Sequence, residues 1–196
     1  MKKKLFVVIL LIFCASAISA QVKVGVTAGL NLSNNSYSGG NETSVNNSKA
    51  GFQAGIVADY SVNDKFSILP EFIFTQLGSG GGKSYLRLNY LQLPVNAAYK
   101  FNVGSCSKLF VFAGSYIGYG LTAKLKTWDG DFIDVRFGSK EDEYKPFDFG
   151  LNAGIGYQYE KLFLRLQYSR GINNISPSKD SSFKNINLSI SAGYYF

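Results

Sequence analysis

Histidine is absent from the sequence altogether. Ser-His and Asp-His catalysis, and the commonest zinc ligation, therefore have no vehicle. Cysteine is nearly absent. Of the two present, Cys14 lies in the N-terminal apolar run and Cys106 follows Gly104 and Ser105. Once that N-terminal segment is removed, no intramolecular disulfide is available. Charged residues amount to only 17%, sparse for the outer surface of a soluble domain. No apolar run reaches the ~20 residues of a membrane-spanning helix.

What is present favours strands and turns. Aromatics reach 15%, Gly occurs 21 times, and Tyr, Phe, Val, Ile, Asn and Ser outweigh the helix formers. The 196 residues suffice for one domain. The formal charge of +7 includes Lys2, Lys3 and Lys4, and falls to +4 without them. No basic patch with interleaved aromatics remains, so a nucleic-acid partner is not expected.

Residues 1–20 read as a secretory signal peptide. Lys2 to Lys4 form the basic start, Leu5 to Ala15 the apolar run, and Ala17 to Ala20 the small residues before cleavage after Ala20. An anchoring helix fits less well because the run is short. A lipoprotein fits less well because Ile12 and Phe13 precede Cys14.

Residues 21–196 are expected to form one domain, because stretches of about ten residues alternate with the strand period of two. Val24, Val26, Ala28, Leu30 and Leu32 share one face of the first stretch. The second aligns Phe52, Ile56 and Tyr60, and the third Phe66, Ile68, Phe72 and Phe74. Pro70 cannot donate to a ladder, which predicts a bulge there. The fourth aligns Leu91 to Phe101 in steps of two, with Leu86 and Leu88 out of phase, which predicts a bulge near Tyr90. The fifth, 109–121, is apolar on both faces and its facing stays open. The sixth runs Phe147 to Tyr159, the seventh Leu162 to Tyr168, and the eighth Ile186 to Phe196.

The connections alternate in length: short at 62–65, around Gly104 and at 160–161, long at 33–50, 77–85, 122–146 and 173–183. Asp129-Gly130 predicts a type I′ hairpin inside the third long connection. The polar stretch 138–146 is expected to be mobile. Eight strands with alternating short turns and long loops fit an antiparallel up-and-down transmembrane β-barrel with both ends periplasmic. A soluble lipocalin-like barrel is the competing fold. Against it, the second face carries Gly, Ser, Asn, Gln and Thr rather than charges, and aromatics gather near strand ends. Ile190, Ala192, Tyr194 and Phe196 alternate to a terminal aromatic, the form of an outer-membrane assembly signal.

Asn89-Tyr90-Leu91-Gln92-Leu93-Pro94-Val95 resembles the "YLEIP"-type strand of small Bacteroidetes outer-membrane barrels, the PorT-like family. Phe112 to Gly118 and Val24 to Asn31 are similar to neighbouring strands there. Gln92 stands where that family often has an acidic residue. The resemblance implies a barrel in the outer membrane and no single conserved activity.

No residue set for catalysis, cofactor binding or metal binding stands out. Gly78 to Ser84 lacks the phosphate-loop spacing, because Leu77 occupies the place of its first Gly. Asp129, Asp131 and Asp134 lack EF-hand spacing and fit a solvated hairpin. Lys23, Asp59, Glu71, Lys100, Asp148 and Arg165 fall on the polar faces, and are expected to pair as a charge network within the lumen. The expected protein is not an enzyme and takes no cofactor. It has a structural or interaction role, a filled lumen and binding loops outside. A narrow channel, a ligand-binding transporter and an accessory of a secretion system are the alternatives. Outer-membrane lipid, the assembly machinery and envelope or secretion-system proteins are the expected partners.

Overall fold

The computed structural model describes residues 22–39, 42–45, 47–80, 83–135, 137–138, 143–176 and 181–196. The expected signal peptide and its cleavage site lie outside the described residues, as do parts of 33–50, 77–85, 138–146 and 173–183. Ten strands follow in order: β1 Val22–Gly39, β2 Glu42–Val45, β3 Lys49–Ser61, β4 Phe66–Ser79, β5 Tyr85–Asn102, β6 Ser107–Lys126, β7 Phe132–Val135, β8 Phe147–Tyr159, β9 Leu162–Gly171 and β10 Ser181–Tyr195. Eight of them pair antiparallel in the cyclic order β1-β3-β4-β5-β6-β8-β9-β10. The circle closes where β10 meets β1, from Gly25 opposite Tyr195 to Gly39 opposite Ser181. Closure pairs each of these eight strands on both sides, as an apolar solvent requires. The short strands β2 and β7 extend the ends of β1 and β6 beyond the barrel.

The strands outrun the expected stretches at one end only. β1 continues seven residues past Leu32, and β5 and β6 stay paired up to Tyr85 and Lys126. The opposite rim is cut short by tight turns, at 62–65, 103–106 and 160–161. Glu160 adopts φ 51° to make the shortest of them.

Three local expectations change. Pro70 makes no bulge. The β3–β4 register is the same on both sides of it, Val57 facing Glu71 and Tyr60 facing Ile68, with only the intervening bridges missing. Its ring points outward, where a missing N–H interrupts bonding without displacing the chain. The irregularity near Tyr90 exists, but the extra residue is Leu121 on β6, between the pairs Asn89–Thr122 and Tyr90–Gly120. β5 itself alternates without a break, and Leu86, Leu88 and Tyr90 simply face inward. The Asp129-Gly130 hairpin is not type I′. Only Gly130 has positive φ, and bonds from Gly130 N to Thr127 O (3.2 Å) and Thr127 N to Asp131 O (3.0 Å) close a three-residue loop.

The open question of β6 resolves by register. Leu109, Val111, Ile117 and Tyr119 face out, while Phe110, Phe112 and Tyr116 face the lumen. Each inward ring lies over a glycine of β8: Phe110 over Gly156, Phe112 over Gly154, Tyr116 over Gly150. The two strands are both apolar-rich, yet one face fits because the glycines have no side chain to displace the rings.

The exterior is almost wholly apolar. Tyr60, Phe66, Tyr99, Phe101, Tyr157, Tyr159, Tyr194 and Phe196 ring the short-turn rim, and Phe52, Phe74, Tyr119, Phe147 and Tyr168 lie towards the other. Between them run aliphatic residues such as Val26, Ile56, Val95, Ile155 and Leu166, each about half exposed. A band of aliphatic side chains between two aromatic belts is the surface that a bilayer requires. Among the described residues no helix is long and apolar enough to cross a membrane.

Candidate functional site: the filled lumen

The lumen is built in layers, which follow from which inward positions meet across the barrel. At the short-turn end, Lys100 of β5 donates a hydrogen bond to Asp59 Oδ2 of β3, both side chains buried. Phe163 stacks near Tyr195 here, ring centroids 4.8 Å apart, with Val57 beside them. Above it, Arg165 of β9 spans to Glu71 of β4, Nη1 to Oε1 at 2.6 Å and Nη2 to Oε2 at 2.9 Å. Asn96 donates to the same Oε1 at 3.4 Å, and Asn152 donates to Asn96 Oδ1 at 3.4 Å. The Arg165 guanidinium also lies 5.0 Å from the Phe163 ring. Two parallel bonds from a planar cation fix both side chains far better than one contact from a lysine.

A third carboxylate, Asp148 of β8, is fully buried. Its Oδ2 accepts from Tyr116 Oη at 3.1 Å and from Asn185 Nδ2 at 2.8 Å. Asn35 in turn donates to Asn185 Oδ1 at 2.7 Å. Among the described residues Asp148 has no cationic partner, and its Oδ1 has no hydrogen bond.

The long-loop end is closed by an apolar cluster. Leu77, Leu86, Leu88, Tyr90, Ala123, Ile175 and Phe183 are buried together, with Phe137 and Tyr144 packed against them. Ile175 follows β9, and its backbone bonds to Phe183 and Lys145 hold it in the cluster, Ile175 N donating to Phe183 O at 3.0 Å and Lys145 N to Ile175 O at 3.2 Å. Burial pushes the Tyr144 hydroxyl pKa up, so this loop residue stays neutral.

Of the six charged residues expected inside, five are buried: Asp59, Glu71, Lys100, Asp148 and Arg165. Lys23 is not. It faces Asp59 across the β1–β3 ladder but is exposed at the rim, while Asp59 is engaged by Lys100 of β5. The expected mutual pairing also takes in only four of the residues, as two separate pairs. Ile190 and Tyr194 face outward on β10, next to the closing seam; Phe196, exposed just past its end, donates its N–H to Val24 O at 2.8 Å. Cys106 is free and exposed in its turn. Asp134 lies 3.8 Å from Lys124, both exposed.

The aromatic lumen residues Phe110, Phe112, Phe163 and Tyr90 escaped the sequence reading. For Phe110 and Phe112 the available signal was Gly156 and Gly154 of β8, and for Phe163 it was Gly193 of β10, since each marks where a neighbouring ring must fit.

The family profile described as outer membrane protein beta-barrel domain matches residues 16–176. Neisserial surface protein A (NspA) has a solved structure that superposes with a TM-score of 0.50 at 16% identity, over 90% of this chain and 98% of that one. Ail, the attachment invasion locus protein of Yersinia pestis, gives 0.47 at 14% identity, over 90% and 99%. No curated protein matches the chain.

Proposed function

The chain belongs to the outer membrane protein beta-barrel domain family and is an outer-membrane β-barrel protein; from that premise we propose a structural or interaction role, with the lumen acting as a filled strut rather than a conduit. One observation carries the reading. The Arg165–Glu71 pair crosses the middle of the lumen while an apolar cluster covers its long-loop end. Water and ions would have to displace both, and an eight-stranded barrel has little interior to spare. The lumen carboxylates are held by structural partners, which also supports a non-catalytic role.

Three finer assignments belong to the same proposal. The signal peptide is cleaved after Ala20, so that the exported chain begins at Gln21. Ile190, Tyr194 and Phe196 present the outward alternation read by the assembly machinery. Envelope or secretion-system proteins are the partners proposed for the loops, a reading that rests on the PorT-like resemblance. The deciding experiment is planar-bilayer recording on the purified full chain. No stepwise conductance is expected at 100 mV, and discrete ion-conducting steps would replace this reading with that of a narrow channel.

A further inference from the structure

The outer face of β4, β5 and β6 changes character in order along the strands. Phe74, Leu91 and Tyr119 belong to the apolar band. Two residues further on β4 and β5, about 6–7 Å along the strand, and three further on β6, past the extra Leu121, comes a polar row. Gln76 Nε2 donates to Asn89 Oδ1 at 3.1 Å, and Asn89 Nδ2 donates to Thr122 Oγ1 at 2.8 Å. Beyond that row the face becomes cationic. Arg87 faces Lys124 and Tyr85 faces Lys126 in the β5–β6 ladder.

Three cations converge on the Tyr85 ring. Lys49 Nζ lies 3.6 Å from its centroid, Arg87 Cζ 5.5 Å and Lys126 Nζ 5.8 Å. All four side chains are half-buried. Among the described residues, none of the three cations has a carboxylate within ion-pairing distance, and Arg87 Nε has no hydrogen-bond partner. Three like charges gathered around one ring repel each other unless an anion is shared between them. On β1, two residues beyond the last apolar position, the face carries neutral Asn34 and Ser36 instead.

We propose that Lys49, Arg87 and Lys126, arranged around Tyr85, bind the phosphate of an outer-leaflet glycolipid. The order of the layers identifies the occupant. The cations face sideways, just past a polar row that ends the apolar band, which is where the phosphates of a membrane lipid lie. Loop tips would be the better place to meet a soluble polyanion. Arginine supplies a planar fork for phosphate oxygens, and the lysines add point charge from either side. The apolar band below accepts the acyl chains of the same molecule. This inference stands apart from the filled-lumen reading and does not depend on it.

The test uses the purified full chain in neutral maltoside detergent, with bound lipid counted by native mass spectrometry. Lipid A carrying its phosphate is compared with the same lipid after enzymatic dephosphorylation. At least tenfold tighter retention of the phosphorylated form is expected. The triple variant K49Q/R87Q/K126Q is expected to lose that preference, while Lys161→Gln at the opposite rim keeps it. Equal retention of the two lipids by the unaltered protein would overturn the proposal, and this comparison needs no variant to fold. So would a triple variant that migrates as a folded barrel and still prefers the phosphate. Binding of dextran sulfate without any preference for phosphorylated lipid A would also overturn it and assign the cations to soluble polyanions.

Discussion

Arg165 and Glu71 sit on diametrically opposite strands, with three strands between them whichever way the barrel is followed, and meet through two hydrogen bonds of 2.6 and 2.9 Å. A contact of that kind ties the two walls together and fixes the width of the lumen. Both side chains are buried.

Removing one partner should therefore be severe. Arg165→Ala or Glu71→Ala leaves an uncompensated buried charge and should lower stability by about 3–5 kcal/mol. Replacing both, as E71L/R165M, should restore most of the loss. Urea unfolding in detergent, followed by heat-modifiable migration, gives the numbers. Additive losses in the double variant would show that the two residues act separately.

Asp148 should behave in the opposite sense. Asn at 148 retains an oxygen for the Tyr116 hydroxyl and the Asn185 amide, and removes a buried charge with no cation beside it among the described residues. Asp148→Asn is expected to raise stability, on the order of 1 kcal/mol. A fall in the urea midpoint as large as that of Glu71→Ala would mean that the charge is needed.

Glycines beneath the rings should tolerate nothing larger. A Cβ at Gly154 would collide with the Phe112 ring and with backbone of β9. Gly154→Val is expected to cost about 1–3 kcal/mol, and part of that should return when Phe112→Leu makes room. A double-mutant cycle measures the coupling. No coupling would show that the strands adjust without the ring.

Orientation gives a further check. Cys106 lies at the short-turn rim, and Gly130 at the tip of the hairpin beyond the other rim. On intact cells a membrane-impermeant maleimide should leave Cys106 unlabelled. It should label Gly130→Cys in a Cys106→Ser background. The reverse pattern would invert the barrel in the membrane.

The strands and their outward faces were legible because each outward stretch is apolar at every second position, as in β8 from Phe147 to Tyr159. The lumen was legible only in part. Alternation separates two faces but does not say which residues meet across strands. That Phe110 and Phe112 lie over Gly156 and Gly154 depends on register, which no single stretch contains. The cap was missed for a related reason. Leu86, Leu88 and Ile175 looked like irregularities or loop residues until the strands proved longer than the membrane requires. The Lys23 expectation failed because facing the lumen is not the same as being deep within it.

The seam between β1 and β10 has a consequence in time. These strands pair over fifteen positions, yet they are the first and last to leave the ribosome. Until β10 is made, every earlier strand can form hairpins but no cylinder, and both flanks of the growing sheet remain open to other chains. Contacts of such long sequence separation form slowly. The cylinder is therefore complete only when the first and last strands of the barrel meet.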